Sequence, residues 1–459
     1  MKKITTYTLG CKLNYSETAA IAEAFLKQGY ELVPFGEKAD VTIINTCSVT
    51  ENANQKCRQA VRKALKKSPE SYVAVLGCYA QLEPEALASI HGVDAVLGAK
   101  EKFQIAEHLG SELKKTGEAK IFVTDIGAVD NFGLGHSIAL EGAPKDRTRA
   151  YLKVQDGCDY ICAFCTIPLA RGASRSLSIE KVVEQARMLA IAGYQEVVLT
   201  GVNIGDYGRN TDARFLDLVR ALDTLDVPRI RISSIEPNLL SSDLIGFIAG
   251  SKRIVPHFHI PMQSGSDDML KAMRRRYNTA LYRERVHEVI ARIRDCAVGA
   301  DVIVGFPGET AEHFEETYRF IESLPVAYLH VFTFSRRPNT HADEMIQKKL
   351  WKTVPPQDVQ ERSRRLHELS REKKKAFLSR YLEAEVDVLF EGDFSDENER
   401  QNETLVCYGH TGNYLGVAVA VPSKEWAEAN LVGKFHRVRL SSLDEELNAF
   451  GELTERISG

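Results

Sequence analysis

Three isolated cysteines, Cys11, Cys47 and Cys78, each stand at the end of a run that reads as a β-strand: ITTYTL at 4–9, VTIINT at 41–46 and SYVAVLG at 71–77. Helical stretches lie between these runs, from about Tyr15 to Gln28 and from about Asn52 to Lys67. Strand alternating with helix predicts a parallel sheet, and the carboxyl ends of parallel strands share one edge, where ligands bind. Three residues far apart in sequence are therefore expected to converge. A single buried cysteine is ordinary as a small hydrophobe; three at strand ends are not. Cys57 differs, because it falls on the apolar stripe Ala53, Cys57, Ala60, Val61 and Ala64. Cys296 and Cys407 also sit within apolar patterns, so these three read as structural.

The alternation resumes after residues 125–147, which are rich in Gly, Asp and Pro and read as a linker. Six further strands are expected: YLKVQD at 151–156, EVVLTGV at 196–202, RIRISSI at 229–235, HFHIPM at 257–262, ADVIVGF at 300–306 and YLHVFTF at 328–334. Helical patterns separate them, such as Glu180 to Ala192, with Val182, Val183, Ala186, Leu189 and Ala190 on one face. Six βα units predict a partial barrel, open on one side. Residues 348–380 read as helical and carry 11 Lys or Arg against 4 Asp or Glu. Short strands then follow (EVDVLF, TLVCYGH, YLGVAVAV and FHRVRLSSL), as in a small all-β barrel. The expected class is thus α/β, with a parallel α/β domain at 1–125, a partial (βα)6 barrel at 144–374 and an all-β module at 376–441. A length of 459 residues suits about three domains, and no internal repeat or low-complexity segment stands out.

Composition narrows the function classes. With 44% hydrophobic and 27% charged residues the chain is of globular type, and a net charge of −4 confines any basic surface to a local patch. No apolar run approaches about 18 residues, so no membrane span is expected. The N-terminal MKKITTYTLG runs straight into a strand, unlike a secretory signal. A cytoplasmic location follows as the expectation. Nine cysteines outside an oxidising compartment then point to metal or redox chemistry.

Cys158, Cys162 and Cys165 form a CxxxCxxC triplet directly after the first barrel strand, at the end where such barrels carry their active sites. A structural zinc site normally closes with a fourth Cys or His, and no partner pair follows at the usual spacing. Three thiolates on a four-iron cluster leave one iron open for chemistry, whereas a plain electron carrier uses four. With the aromatic Phe164 before the last cysteine, the triplet resembles that of radical S-adenosylmethionine (SAM) enzymes. In that family the open iron chelates SAM, and an electron from the cluster releases a 5′-deoxyadenosyl radical.

More specifically, the chain resembles the methylthiotransferases. LGCKLNYSE at 9–17, NTCSVT at 45–50 and LGCYAQ at 76–81 are similar to that family's cluster-binding segments. KVQDGCDYICAFCTIPLARG at 153–172, LTGVN at 199–203, RISSIEP at 231–237, HIPMQSGSDDMLKAMRRRY at 259–277 and DVIVGFPGET at 301–310 are similar to its radical domain. The tail resembles its RNA-associated barrel, called TRAM. One branch of the family acts on isopentenyl-adenosine in tRNA and one on an aspartate of a small-subunit ribosomal protein. The third acts on N6-threonylcarbamoyladenosine next to the anticodon. LGCKLN, IPLARG, RRRY and GHTGNYLGV at 409–417 are most similar to this third branch.

The resemblance implies two 4Fe-4S clusters, one on Cys11, Cys47 and Cys78 and one on Cys158, Cys162 and Cys165. It also implies SAM, an external electron donor, a sulfur source and a tRNA anticodon loop as substrate. Carbon 2 of the adenine would receive the methylthio group. It implies cofactor contacts at Thr200, Gly201 and Asn203 for the methionine part, at Ser234, Glu236 and Gln263 for ribose or substrate, and at Phe164 for the adenine. Ordinary strand-end polar residues would look the same. No catalytic side chain is singled out beyond the clusters. Arg171 and Arg175 are read either as contacts to phosphate or cofactor carboxylate or as surface salt bridges. The 376–441 barrel has 6 Lys or Arg against 11 Asp or Glu, which suits a basic ribosomal protein better than RNA. The basic stretch at 348–380, with its KKK at 373–375, is therefore the expected phosphate contact. A non-catalytic iron–sulfur protein that binds RNA is the reading from another class.

Overall fold

The computed structural model describes residues 1–47, 51–105, 115, 117–129, 132–140, 147–209, 211–396 and 405–456. Ser48, Val49 and Thr50 of the NTCSVT segment lie outside the described residues, as do parts of the linker at 130–131 and 141–146.

The first domain is a six-stranded parallel sheet in the order β2-β1-β3-β4-β5-β6. Its strands are β1 (Lys3–Thr8), β2 (Glu31–Val33), β3 (Val41–Thr46), β4 (Tyr72–Gly77), β5 (Ala95–Leu97) and β6 (Lys120–Phe122). Helix α1 (Lys12–Lys27) and helix α2 (Glu51–Lys67) make two of the crossovers. β3 and β4 are buried along their whole length, which is why they read as unbroken apolar runs. Alternate side chains serve opposite faces. Ile43 packs with Phe25 of α1, and its neighbour Ile44 packs with Cys57 and Val61 of α2. The structure adds β2, β5 and β6 to the three expected strands; each has only three residues, too few to display a two-residue period.

The second domain contains β7 (Ala150–Lys153), β8 (Gln155–Asp156), β9 (Arg175–Ser176), β10 (Glu196–Thr200), β11 (Arg229–Ile232), β12 (His257–His259), β13 (Ala297–Val304) and β14 (Tyr328–Thr333). β7, β10 and β11 form one parallel sheet, and β12, β13 and β14 another. Single bridges, Ile230 to Ile254 and Ser234 to His259, join them into a six-strand partial barrel. One continuous core fills the space between strands and outer helices, with Leu152, Leu199, Ile232, Phe258 and Val302 all at most 1% exposed. The segment read as a linker is partly structured. Ser137 N–H donates to Tyr151 O at 2.9 Å and Lys153 N–H to Gly135 O at 2.7 Å, so residues 135–137 run antiparallel along β7.

The third domain is a closed barrel in the order β15-β16-β17-β19-β18, from β15 (Glu385–Asp396), β16 (Leu405–Thr411), β17 (Gly416–Ala420), β18 (Phe435–Leu443) and β19 (Ala449–Arg456). The fifth strand, β19, lies beyond the four expected ones. This barrel caps the amino end of the partial barrel. Arg231, paired with Glu196 at 2.7 Å, donates to Gly412 O at 2.9 Å, and Arg229 donates to Asp387 O at 2.9 Å. Tyr414, in the GHTGNY turn, lies 4.8 Å from the His257 ring and 4.9 Å from the Arg231 guanidinium. Among the described residues, no helix is long and apolar enough to cross a membrane.

Candidate active site at the domain joint

β1, β3 and β4 are adjacent and in register, with Thr8 opposite Asn45 and Thr46 opposite Gly77. Cys11, Cys47 and Cys78 leave these three strand ends side by side. The turn into Cys78 needs glycine: Gly77 has φ +102°, and a Cβ there would meet both Asn45 Oδ1 and Thr46 O at 2.4 Å. Gly10 is similar, since its Cβ would lie 2.7 Å from Cys47 Cβ. Asn14 ties the edge together. Its side-chain amide donates to Leu9 O at 3.0 Å and to Thr46 O at 2.9 Å, just ahead of Cys11 and Cys47 respectively.

The triplet sits at the carboxyl end of the partial barrel. Tyr160 N–H and Ile167 N–H each approach a sulfur, those of Cys158 and Cys165, at 3.4 Å. N–H donors to sulfur are one means by which proteins tune iron–sulfur centres. Burial pushes the Cys158 thiol up to about 11 and Cys165 to about 12. All nine cysteines are free. Among the described residues, no group of three or more His, Cys, Asp and Glu side chains is gathered as a single-ion metal site. Cys57, Cys296 and Cys407 are buried in apolar packing.

Around the triplet lie orphaned polar groups of the kind a bound cofactor satisfies. Asn203 is 4% exposed, and among the described residues neither its side-chain nitrogen nor its oxygen has a partner. Thr200 Oγ1 is also buried and unpartnered. Gly201 passes close to Gln155, where a Cβ would lie 3.0 Å from Oε1. Gln155 opens the QDGC segment that resembles the family, though the resemblance implies no role for its side chain; in the structure it organises this corner. Its Oε1 accepts from Val202 N–H and Asn203 N–H at 2.9 Å, and its amide donates to Gly157 O at 2.7 Å. On the far side Phe164, Cys165, Gln263, Asp301, Phe332 and Arg337 line a cavity of about 270 Å³. Gln263 adopts φ +65°, a conformation uncommon for residues other than glycine. Ser234 is turned to His259, with Oγ 2.7 Å from Nδ1. Glu236 is held by Arg275, whose Nη1 also donates to Cys162 Sγ at 2.9 Å.

Neither Arg171 nor Arg175 is a surface residue. Arg175 is buried and donates to Val129 O at 2.6 Å. Arg171 is 2% exposed and makes the joint between the first two domains. Its guanidinium contacts Glu17 of α1 and Asp156 of β8, both at 2.9 Å, and Asn14 Oδ1 at 2.6 Å, while Nε donates to Cys78 Sγ at 3.3 Å. Lys102 and Lys153 complete the set on Glu17, at 2.7 and 2.6 Å. Burial alone would raise the Glu17 carboxyl, but Arg171, Lys102 and Lys153 outweigh it and hold it well below the usual carboxylate range. One arginine thus reaches from the helix that follows Cys165 to the lone cysteines.

Two family descriptions match: "Uncharacterized protein family UPF0004" over residues 3–98 and "Radical SAM superfamily" over residues 152–321. The radical SAM assignment implies SAM and a 4Fe-4S cluster as cofactors. The threonylcarbamoyladenosine tRNA methylthiotransferase MtaB of Bacillus subtilis (strain 168) is 38% identical over 96% of this chain and 94% of its own. The tRNA-2-methylthio-N(6)-dimethylallyladenosine synthase of Bacillus licheniformis is 32% identical over 97% of this chain and 86% of its own. Among solved structures, the radical S-adenosylmethionine methyltransferase TsrM from Kitasatospora setae superposes with a TM-score of 0.57 at 14% identity, covering 76% of this chain and 78% of that one. That likeness concerns the fold alone. With the two matched segments meeting at a buried joint where Arg171 bridges Glu17, Asp156 and Cys78, and with a relative 38% identical over nearly the whole length, the chain belongs to the radical SAM methylthiotransferases.

Proposed function

We propose that this enzyme converts N6-threonylcarbamoyladenosine beside the tRNA anticodon to its 2-methylthio derivative. The observation that supports the reading is a link between the segment that follows one trio and a member of the other: Arg171, on the helix Ile167–Arg171 after Cys165, donates to Cys78 Sγ at 3.3 Å. The printed substrate of the Bacillus subtilis relative favours threonylcarbamoyladenosine over dimethylallyladenosine, at 38% against 32% identity. We place the cluster-binding domain at 1–125, the radical SAM core at 144–374 and the TRAM module from 376, extended past 441 to Arg456 to include β19.

Cys158, Cys162 and Cys165 hold the first cluster in this reading, and Cys11, Cys47 and Cys78 the second. When bound, the first supplies the open iron and electron for SAM cleavage, and the second presents the sulfur to be transferred. The chain's own residues bind and orient. Asn203 and Thr200 offer their unpartnered polar atoms to the cofactor. Phe164 and Phe332, which both line the cavity, suit a flat base turned out of its stack. Carbon 2 of adenine has neither an acidic hydrogen nor a leaving group, so positioning rather than acid–base chemistry governs transfer.

The expected outcome separates the two centres. Cys158→Ala abolishes SAM cleavage, whereas Cys78→Ala leaves cleavage intact and abolishes the methylthio product. Product formation by Cys78→Ala would overturn the assignment of the second trio.

A further inference from the structure

Arg171 stands in an unusual electrical position. Five charged side chains, Lys102, Lys153, Arg171, Glu17 and Asp156, share one contiguous buried network, each at most 3% exposed by residue. Three are cations and two are carboxylates, so the network holds one positive charge in excess. An unpaired charge in a protein interior is costly unless a counter-charge lies close by. The network reaches Cys78, whose sulfur accepts from Arg171 Nε at 3.3 Å. A neutral thiol there leaves the excess charge uncompensated. A four-iron centre on three thiolates carries net negative charge and balances it.

The same arrangement recurs at the first trio. Arg275 is paired with Glu236 and donates to Cys162 Sγ at 2.9 Å. One arginine therefore addresses one sulfur of each trio. Arg171 differs in spanning two domains. It ends a five-residue helix that begins two residues after Cys165 and packs against the helix Cys78–Leu82. Such a helix is about 7.5 Å long, a short and stiff spacer between the two sets of ligands.

Resting on the proposed second cluster, we infer that Arg171 is a positioning residue for it. Arg171 supplies the cationic partner that retains an anionic iron–sulfur centre on Cys11, Cys47 and Cys78 and fixes its distance from the first. Removing that charge disfavours the more negative, reduced form, so the potential of this cluster shifts to lower values. Arg171→Lys keeps the charge without the planar fork that grips Glu17, Asp156 and Asn14 together.

The test uses the full chain carrying Cys158→Ala, Cys162→Ala and Cys165→Ala, so that only the second trio can hold iron. Iron content and an EPR-monitored redox titration are measured with Arg171 intact, with Arg171→Gln and with Arg171→Lys. Glu23→Gln serves as a control, because the Glu23 carboxylate accepts from Ala139 N–H in the linker strap without touching either trio. The expected result is a cluster with Arg171 intact, a lower potential or lost iron in Arg171→Gln, and an intermediate shift in Arg171→Lys. Glu23→Gln changes thermal stability alone. Full iron and an unmoved potential in both Arg171 variants would overturn the inference while leaving the second cluster standing. No iron even with Arg171 intact would overturn both.

Discussion

A methyl group added at Gly77 would stand 2.4 Å from Asn45 Oδ1 and from Thr46 O. Backbone and a buried amide cannot step aside as a flexible side-chain tip can, and the φ of +102° is itself closed to residues with a Cβ. Gly77→Ala is therefore expected to cost at least about 2 kcal/mol, read by urea unfolding, and to lower the iron bound by the second trio. Asn203 predicts the opposite balance. Its side chain makes no hydrogen bond among the described residues, so Asn203→Ala leaves the melting temperature unchanged or slightly raised. If its amide serves SAM, the same change weakens SAM binding about tenfold by calorimetry, the worth of one hydrogen bond. Unchanged SAM affinity would remove Asn203 from the cofactor site. At this scale the sequence exposes the cysteines and their glycines, because Gly-Cys after an apolar run is a local pattern. It hides that Arg171, Glu17 and Lys153 meet in one buried network. A buried ion pair between residues 136 apart, such as Glu17 and Lys153, has no local signature, and a charged residue reads by default as surface.

Among the elements, the basic helix Pro356–Ser379 has a structural role that charge counting does not show. Many of its cations are already engaged within the chain. Arg362 is bonded to Glu309 at 2.6 Å, and Arg365 is paired with Glu315. Lys373 donates to Glu322 O and Leu324 O at 3.1 and 2.8 Å, and Lys374 to Glu446 O at 3.3 Å. The helix bolts the third domain to the second, and charge counting cannot separate that role from phosphate binding. Lys373→Met is expected to cost about 1 kcal/mol or more of stability and to leave tRNA affinity and its salt dependence unchanged. A fall in the salt slope of about one phosphate contact would restore the RNA role. The short strands β2, β5 and β6 stayed hidden for a different reason, since pairing to long neighbours rather than any pattern of their own makes them strands. β19, AFGELTER from 449 to 456, was masked by its charges.

For the molecule as a whole, the C-terminal five-stranded barrel caps the amino end of the partial barrel, opposite the triplet. Part of this docking rests on Arg149 and Glu391, which form a salt bridge across the interface. Burial raises the Glu391 carboxyl, but the His410 hydrogen bond and the Arg149 charge outweigh it and bring it from 4.5 to about 2. A depressed carboxylate stabilises the folded state fully above its unfolded value and loses that contribution as pH falls through the folded one. The contact should therefore persist at pH 5 and weaken between about 4.5 and 2. Glu391→Gln should remove this acid-dependent step in small-angle scattering and near-UV dichroism; an acid profile that Glu391→Gln leaves untouched would point to other groups. The order of domains and the strand count of the partial barrel were legible in the sequence from alternation alone. How the domains lock together was not, because that depends on the Arg171, Arg231 and Tyr414 contacts between distant segments.

The most direct test of the central claim is mass spectrometry of nucleosides from tRNA treated with the anaerobically reconstituted, reduced protein and SAM. Threonylcarbamoyladenosine tRNA and isopentenyl-adenosine tRNA are offered side by side. A 2-methylthio product on the first alone is the expected result. Product only on the second, or none on either while SAM is still cleaved, would contradict the account; the latter would make a ribosomal protein the next substrate to test.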